Sequence, residues 1–161
     1  MNKTEIAEIL AKPYSQQLLT GTIPARFAYI GLDGDPRVVP VGFHWDGERI
    51  HIFSTPKMAK VKALQHNPRV SITIDTEGFP PKVLLLRGSA ELSLEDGVPA
   101  DYLSSAKLVP EDQFEGWKAG VESLYDQMYR ITITLDWVKL LDFETTLPKA
   151  VEDLIAAKQE S

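Results

Sequence analysis

Residues 37–75 read RVVPVGFHWDGERIHIFSTPKMAKVKALQHNPRVSITID, and the punctuation of this stretch sets the fold. Asp46-Gly47 suits a tight type I′ hairpin, so the residues before and after it read as antiparallel strands. Thr55 is a good N-cap and Pro56 suits the first helical position, which predicts a helix through Leu64. Asn67-Pro68 then stops that helix and opens a β-branched strand to Asp75. Two features of the stretch point to chemistry. Pro40 and Gly42 share a face opposite Val39, Val41 and Phe43. Pro removes a ladder donor and Gly weakens a strand, so the segment is an edge strand with a bend or a flat surface for a planar ligand. Lys57 and Lys60 fall in the first turn of the expected helix, where the partial positive charge of the backbone favours Asp or Glu. With the hydroxyls of Ser54 and Thr55 just upstream, these cations and the free backbone N–H groups form a phosphate site. The competing reading is a solvated lysine face, which leaves the unfavourable sign unexplained.

Outward from this stretch the same period continues. ARFAYIGL (25–32) joins it through the turn DGDP (33–36), and KVLLLRGSAEL (82–92) is a long strand with Gly88 at a bend or bulge. MYRITITL (128–135) and WVKLLDF (137–143) read as two further strands. Residues 1–20 form an N-terminal helical segment, opened by a capping pair of Asn2 and Glu5. Residues 93–126 form a helical insertion with Pro110 at a helix start, and residues 147–161 a C-terminal helix and tail. Phe114, Trp117, Val121 and Leu124 recur at helical spacing, the ordinary mark of a buried face. The expectation is one domain over 1–161, mainly β with inserted helices (α+β). Its six or seven antiparallel strands would remove their edges by closing into a barrel. No GxGxxG or Walker sequence marks a doubly wound nucleotide fold.

The chain of 161 residues carries 17 Lys+Arg against 23 Asp+Glu, a net charge of -6. Yet no acid occurs from Arg49 to Ile74, which holds Arg49, Lys57, Lys60, Lys62 and Arg69. A local basic segment in an acidic protein points to a local anion rather than to nucleic acid or a membrane surface. A small barrel stacking single-stranded bases on Phe43, Trp45 or Phe53 is the rival, and the net acidity counts against it. The sequence has no cysteine, which excludes disulfides and thiolate sites. His44, His51 and His66 lack ligand-like spacing, so no metal is expected. No apolar run spans a bilayer and MNKTEIAEILAK has no signal core, so a cytoplasmic location is expected. No side-chain constellation for hydrolysis is present, so if the protein is an enzyme a cofactor is expected to carry the chemistry.

The ordered set formed by residues 37–75 and KVLLLRGSAEL resembles the split-barrel flavoprotein superfamily, the pyridoxamine 5′-phosphate oxidase-like group. The likeness covers residues 14–145. It implies a homodimer of six-stranded antiparallel split β-barrels, with FMN at the subunit interface and oxidoreductase activity on a small molecule. Ser54 and Lys60 match the hydroxyl and lysine that contact the flavin phosphate, with Thr55 and Lys57 beside them. Val39, Pro40 and Val41 match the strand that backs the isoalloxazine, and Arg37 a position that contacts the cofactor in some members. The catalytic residues stay unassigned. The superfamily also contains reductases using a dissociable 5-deazaflavin coenzyme, and non-catalytic flavin or heme binders. This chain lacks the Arg-Leu-His type motif of the oxidases proper, and Met58 and Ala59 replace a partner arginine.

Overall fold

The computed structural model describes residues 1–160. Two short helices open it, α1 (Lys3–Leu10) and α2 (Pro13–Thr20), followed by β1 (Ala25–Ile30), β2 (Pro36–Val41), β3 (His44–Trp45) and β4 (Ile50–Ser54). Helix α3 (Ala59–His66) leads to β5 (Arg69–Asp75) and β6 (Val83–Asp96). Helices α4 (Ala100–Ser105) and α5 (Glu111–Leu124) precede β7 (Gln127–Leu141), and α6 (Lys149–Gln159) ends the chain.

The strands form one sheet in the order β2-β1-β5-β6-β7-β4-β3, and every pairing is antiparallel. Its two edge strands, β2 and β3, are joined only by Gly42 and Phe43. Three Cα steps reach at most about 11 Å. The sheet therefore curls until its edges nearly meet without pairing, which makes a split barrel of seven strands rather than six. Alternate residues of each strand fill the interior, among them Phe27, Ile52, Ile72, Leu86 and Ile133, all at most 1% exposed. Ile6 and Leu10 of α1 and Leu18 and Leu19 of α2 belong to the same core. The Asn2–Glu5 capping box closes α1 as expected.

The strand boundaries differ from the expectation at two places, each with a local cause. Gly88 opposes Leu135 while Arg87 opposes Trp137, so Asp136 bulges out and β7 passes through it as one strand. A Cβ at position 88 would collide with the Thr134 carbonyl, which is why a glycine stands there. Conversely, the expected strand over 37–45 breaks at Gly42-Phe43. A Cβ at Gly42 would lie 2.8 Å from the Ser105 carbonyl, because the end of α4 presses on the break.

The turns also correct the sequence reading. In the β3–β4 hairpin Gly47 alone takes a positive φ, +100°. The central pair is thus Gly47-Glu48, as in a type II′ turn, rather than Asp46-Gly47. Pro56 lies in a turn closed by the Met58 N–H donating to the Thr55 carbonyl at 3.2 Å, a position where Pro is equally favoured. Helix α3 starts after it, with Met58 as N-cap and no side-chain cap from Thr55. Lys57 accordingly precedes the helix, and Lys60 alone stays in its first turn. The insertion begins after Asp96. In α5 only Val121 is buried, whereas Leu124 is 69% exposed, so the expected buried face is reduced to one residue. Among the described residues no helix is long and apolar enough to cross a membrane.

Candidate functional site

Strand β4 ends at Ser54, which is buried; its Oγ donates to the Thr55 carbonyl at 3.2 Å. Thr55 is half-buried and Lys57 exposed. Lys57 lines an open cleft of about 550 Å³ between the β4–α3 turn and residues 124–127. Lys60 is half-buried in the first turn of α3. Removal from water pushes its pKa below the usual lysine value, and no other group acts on it. Its ammonium has no carboxylate partner among the described residues. Lys60 is thus a half-buried cation near the positive end of a helix, a sign that the helix itself does not favour.

Strand β2 is an edge, and Pro40 occupies it where its missing N–H interrupts no inner ladder. Val39 and Val41 are half-buried and pack on the core, while Val38 and Pro40 face outward. Val41 and Phe53 line one small cavity of about 260 Å³, so the ends of β2 and β4 meet. Arg37, at the other end of β2, is not part of that meeting. Its guanidinium bonds Asp33 at 2.5 Å and the Asp35 carbonyl at 3.1 Å, within the β1–β2 turn. That pairing holds the Asp33 carboxyl below its ordinary pKa.

The insertion supplies Trp117, which the sequence reading assigned to packing, and Tyr102, to which it assigned no role. The Tyr102 ring meets Phe53 edge-on at 5.9 Å and lies 5.7 Å from Trp117; burial raises the Tyr102 pKa. Arg130 stands 5.0 Å over Phe53 and bonds Glu95 at 2.9 Å and Asp101 at 2.8 Å, tying α4 to the sheet. His51 is buried and faces Asp46 at 2.6 Å and Thr132 at 3.2 Å; His44 faces Asp101 at 3.7 Å. Ser105 stands on the side of Gly42 where a Cβ would be, while the residue itself stays exposed. A larger cavity, about 790 Å³, adjoins the small one and shares Gly42, Ser105, Ala106 and Trp117 with it. A signal for it exists in the sequence: α5 carries Gly116 and Gly120 in its interior, each costing about 1 kcal/mol relative to Ala, and Gly116 lines the cavity.

No curated protein matches the sequence. Among solved structures the fold is similar to that of an F420 reductase, at 24% identity over 77% of this chain and 94% of that one, with a TM-score of 0.61. It is also similar to an FAD-binding protein from Mesorhizobium loti, at 24% identity over 78% and 89%, with a TM-score of 0.52. A heme binding protein from Mycobacterium smegmatis matches at 18% identity over 84% and 55%, with a TM-score of 0.57. At these identities the likeness is one of fold. The family model described as pyridoxamine 5′-phosphate oxidase matches residues 12–135, from the start of α2 into β7 and across every candidate residue from Arg37 to Lys60. The curled antiparallel sheet and this match agree: the chain belongs to the pyridoxamine 5′-phosphate oxidase family.

Proposed function

We propose that the protein is a flavin-dependent oxidoreductase that binds FMN at the interface of a homodimer and acts on a small molecule. The observation that carries this reading is Lys60, half-buried in the first turn of α3 with no carboxylate partner among the described residues, beside the buried hydroxyl residue that ends β4. Ser54, Thr55 and Lys57 belong to the same strand-to-helix turn and would hold the flavin phosphate with it. The edge segment Val39–Pro40–Val41 would back the isoalloxazine with main chain and apolar side chains. FMN when bound supplies one- and two-electron exchange. The residues of the chain bind it, orient it and keep water away. Arg37 would have to leave Asp33 to reach a cofactor.

A dissociable 5-deazaflavin coenzyme is the second reading, favoured by the likeness to the F420 reductase. For heme, His51 is a poor axial ligand, since it is buried and both its ring nitrogens are engaged, by Asp46 and Thr132. The absorption spectrum of freshly purified protein separates the three. The phosphate role is tested by titrating apo-protein with FMN and following flavin fluorescence, for wild type and Lys60→Met. The variant keeps the aliphatic stem and loses the charge. Its affinity should fall roughly tenfold to a hundredfold. Its apo melting temperature should hold or rise slightly, because a cation leaves the positive end of a helix. Unchanged affinity for FMN would overturn the phosphate role.

A further inference from the structure

The cavity of about 790 Å³ lies between α5, the loop after α4 and the break between β2 and β3. Its volume is that of a small-molecule site, far above a packing defect. Ile23, Pro24, Phe43, Leu108, Val109 and Trp117 give it an apolar wall. One charged side chain enters it, Lys107. The Lys107 ammonium sits 4.5 Å over the Phe43 ring and donates to the Leu19 carbonyl at 3.3 Å. It has no carboxylate partner among the described residues, and burial pushes its pKa down. A lysine serving only to cap the loop would keep its head in water. This one is half-buried in the wall of an open, mainly apolar cavity, held by a backbone carbonyl and an aromatic face with donors to spare.

We propose that this cavity binds a small apolar mono-anion, a carboxylate or sulfonate borne on a ring or short chain, with the anionic group on Lys107 and the body against Phe43 and Trp117. Gly42, Ser105, Ala106 and Trp117 line both this cavity and the smaller one that reaches Val41 and Phe53. The ligand would therefore lie next to the edge strand assigned to the flavin ring. That it is the substrate rests on the flavin reading; that it binds does not.

The probes are 4-phenylbutyrate and its neutral counterpart 4-phenylbutanol, titrated calorimetrically into flavin-free full-length protein. The acid should bind roughly tenfold or more tightly than the alcohol, the margin of one charge-assisted contact. Lys107→Met should abolish that preference and leave the alcohol's affinity unchanged. Trp117→Ala should weaken both. Lys60→Met, altered in the flavin site alone, should bind the acid as wild type does, so that failure here and failure of the flavin reading are read separately. Equal affinity for acid and alcohol in wild type, which needs no variant, would overturn the proposal. So would a preference for the acid that survives Lys107→Met, or no binding of either probe at about 5 mM.

Discussion

Asp142 caps the end of β7 with a density of contacts that no other carboxylate in the structure has. It is 4% exposed. Its Oδ1 accepts from the N–H groups of Glu144 at 3.0 Å, Thr145 at 2.7 Å and Thr146 at 2.8 Å, and its Oδ2 from the Thr145 hydroxyl at 2.6 Å. These donors hold its pKa far below the ordinary carboxylate range. A carboxyl depressed in the folded state contributes stability above its unfolded pKa, 3.8, and that contribution is lost as pH falls through and below this value. Asp142→Asn removes the charge that the three backbone N–H groups face and replaces the Oδ2 acceptor of the Thr145 hydroxyl with an NH₂. It should cost about 2–3 kcal/mol at neutral pH and make unfolding less sensitive to acid; urea titrations at neutral pH and well below the unfolded pKa, at about pH 2.5, check both. A loss that is the same at the two pH values would refute the charged role. Residues also differ in how far they are legible from sequence. Lys60 is legible because a cation in a helix's first turn has the wrong sign, a strictly local property. Lys107 is not, because its burial is set by Leu19, 88 positions away, and by Phe43.

The elements whose presence is most legible in sequence are those with local punctuation, the β3–β4 hairpin, α3 and β5, although α3 begins three residues after Pro56 and the hairpin turn centres on Gly47-Glu48. The two misread elements depend on partners instead. Asp136 breaks the alternation of β7, and only pairing with β6 shows that a bulge absorbs it. The β2–β3 break is invisible until α4 comes to rest against Gly42. The two glycines make opposed predictions. Gly88 meets the Thr134 carbonyl inside a paired ladder, where neither strand can retreat. Gly42 meets the Ser105 carbonyl at 2.8 Å at the end of a short helix, held to the sheet mainly through Asp101 and Arg130. Gly88→Ala should therefore cost more than 3 kcal/mol, at the top of the overpacking range. Gly42→Ala should cost about 1–2 kcal/mol, with α4 displaced. Denaturant unfolding of both variants, with Tyr and Trp near-ultraviolet dichroism to report on Tyr102 and Trp117, distinguishes them. Equal destabilisation would mean that α4 is as rigidly fixed as the sheet.

The curled sheet buries its inner face well and leaves several large apolar side chains exposed. Val38 on edge strand β2 is 67% exposed, Leu32 61%, and Leu154 of α6 65%. Helix α6 buries no residue at all. Strand β2 is at once the open edge of the sheet, the carrier of exposed Val38 and Pro40, and the segment assigned to the flavin ring. A second copy of the chain covering this edge would remove the apolar exposure and dry the cofactor site together. The expected mass in sedimentation at micromolar concentration is twice the 18.0 kDa of the chain. The cofactor gives a sharper reading than mass alone. If both subunits contact the flavin, FMN binds the dimer in preference to the monomer, and the linkage is reciprocal. FMN should then tighten self-association, and dilution below the dimer dissociation constant should weaken FMN binding. Val38→Asp, placing a charge on the outer face of β2, should weaken both by similar factors while leaving the monomer folded. A monomer at micromolar concentration whose FMN affinity is independent of protein concentration would place the entire cofactor site within one chain, and the interface reading would fall.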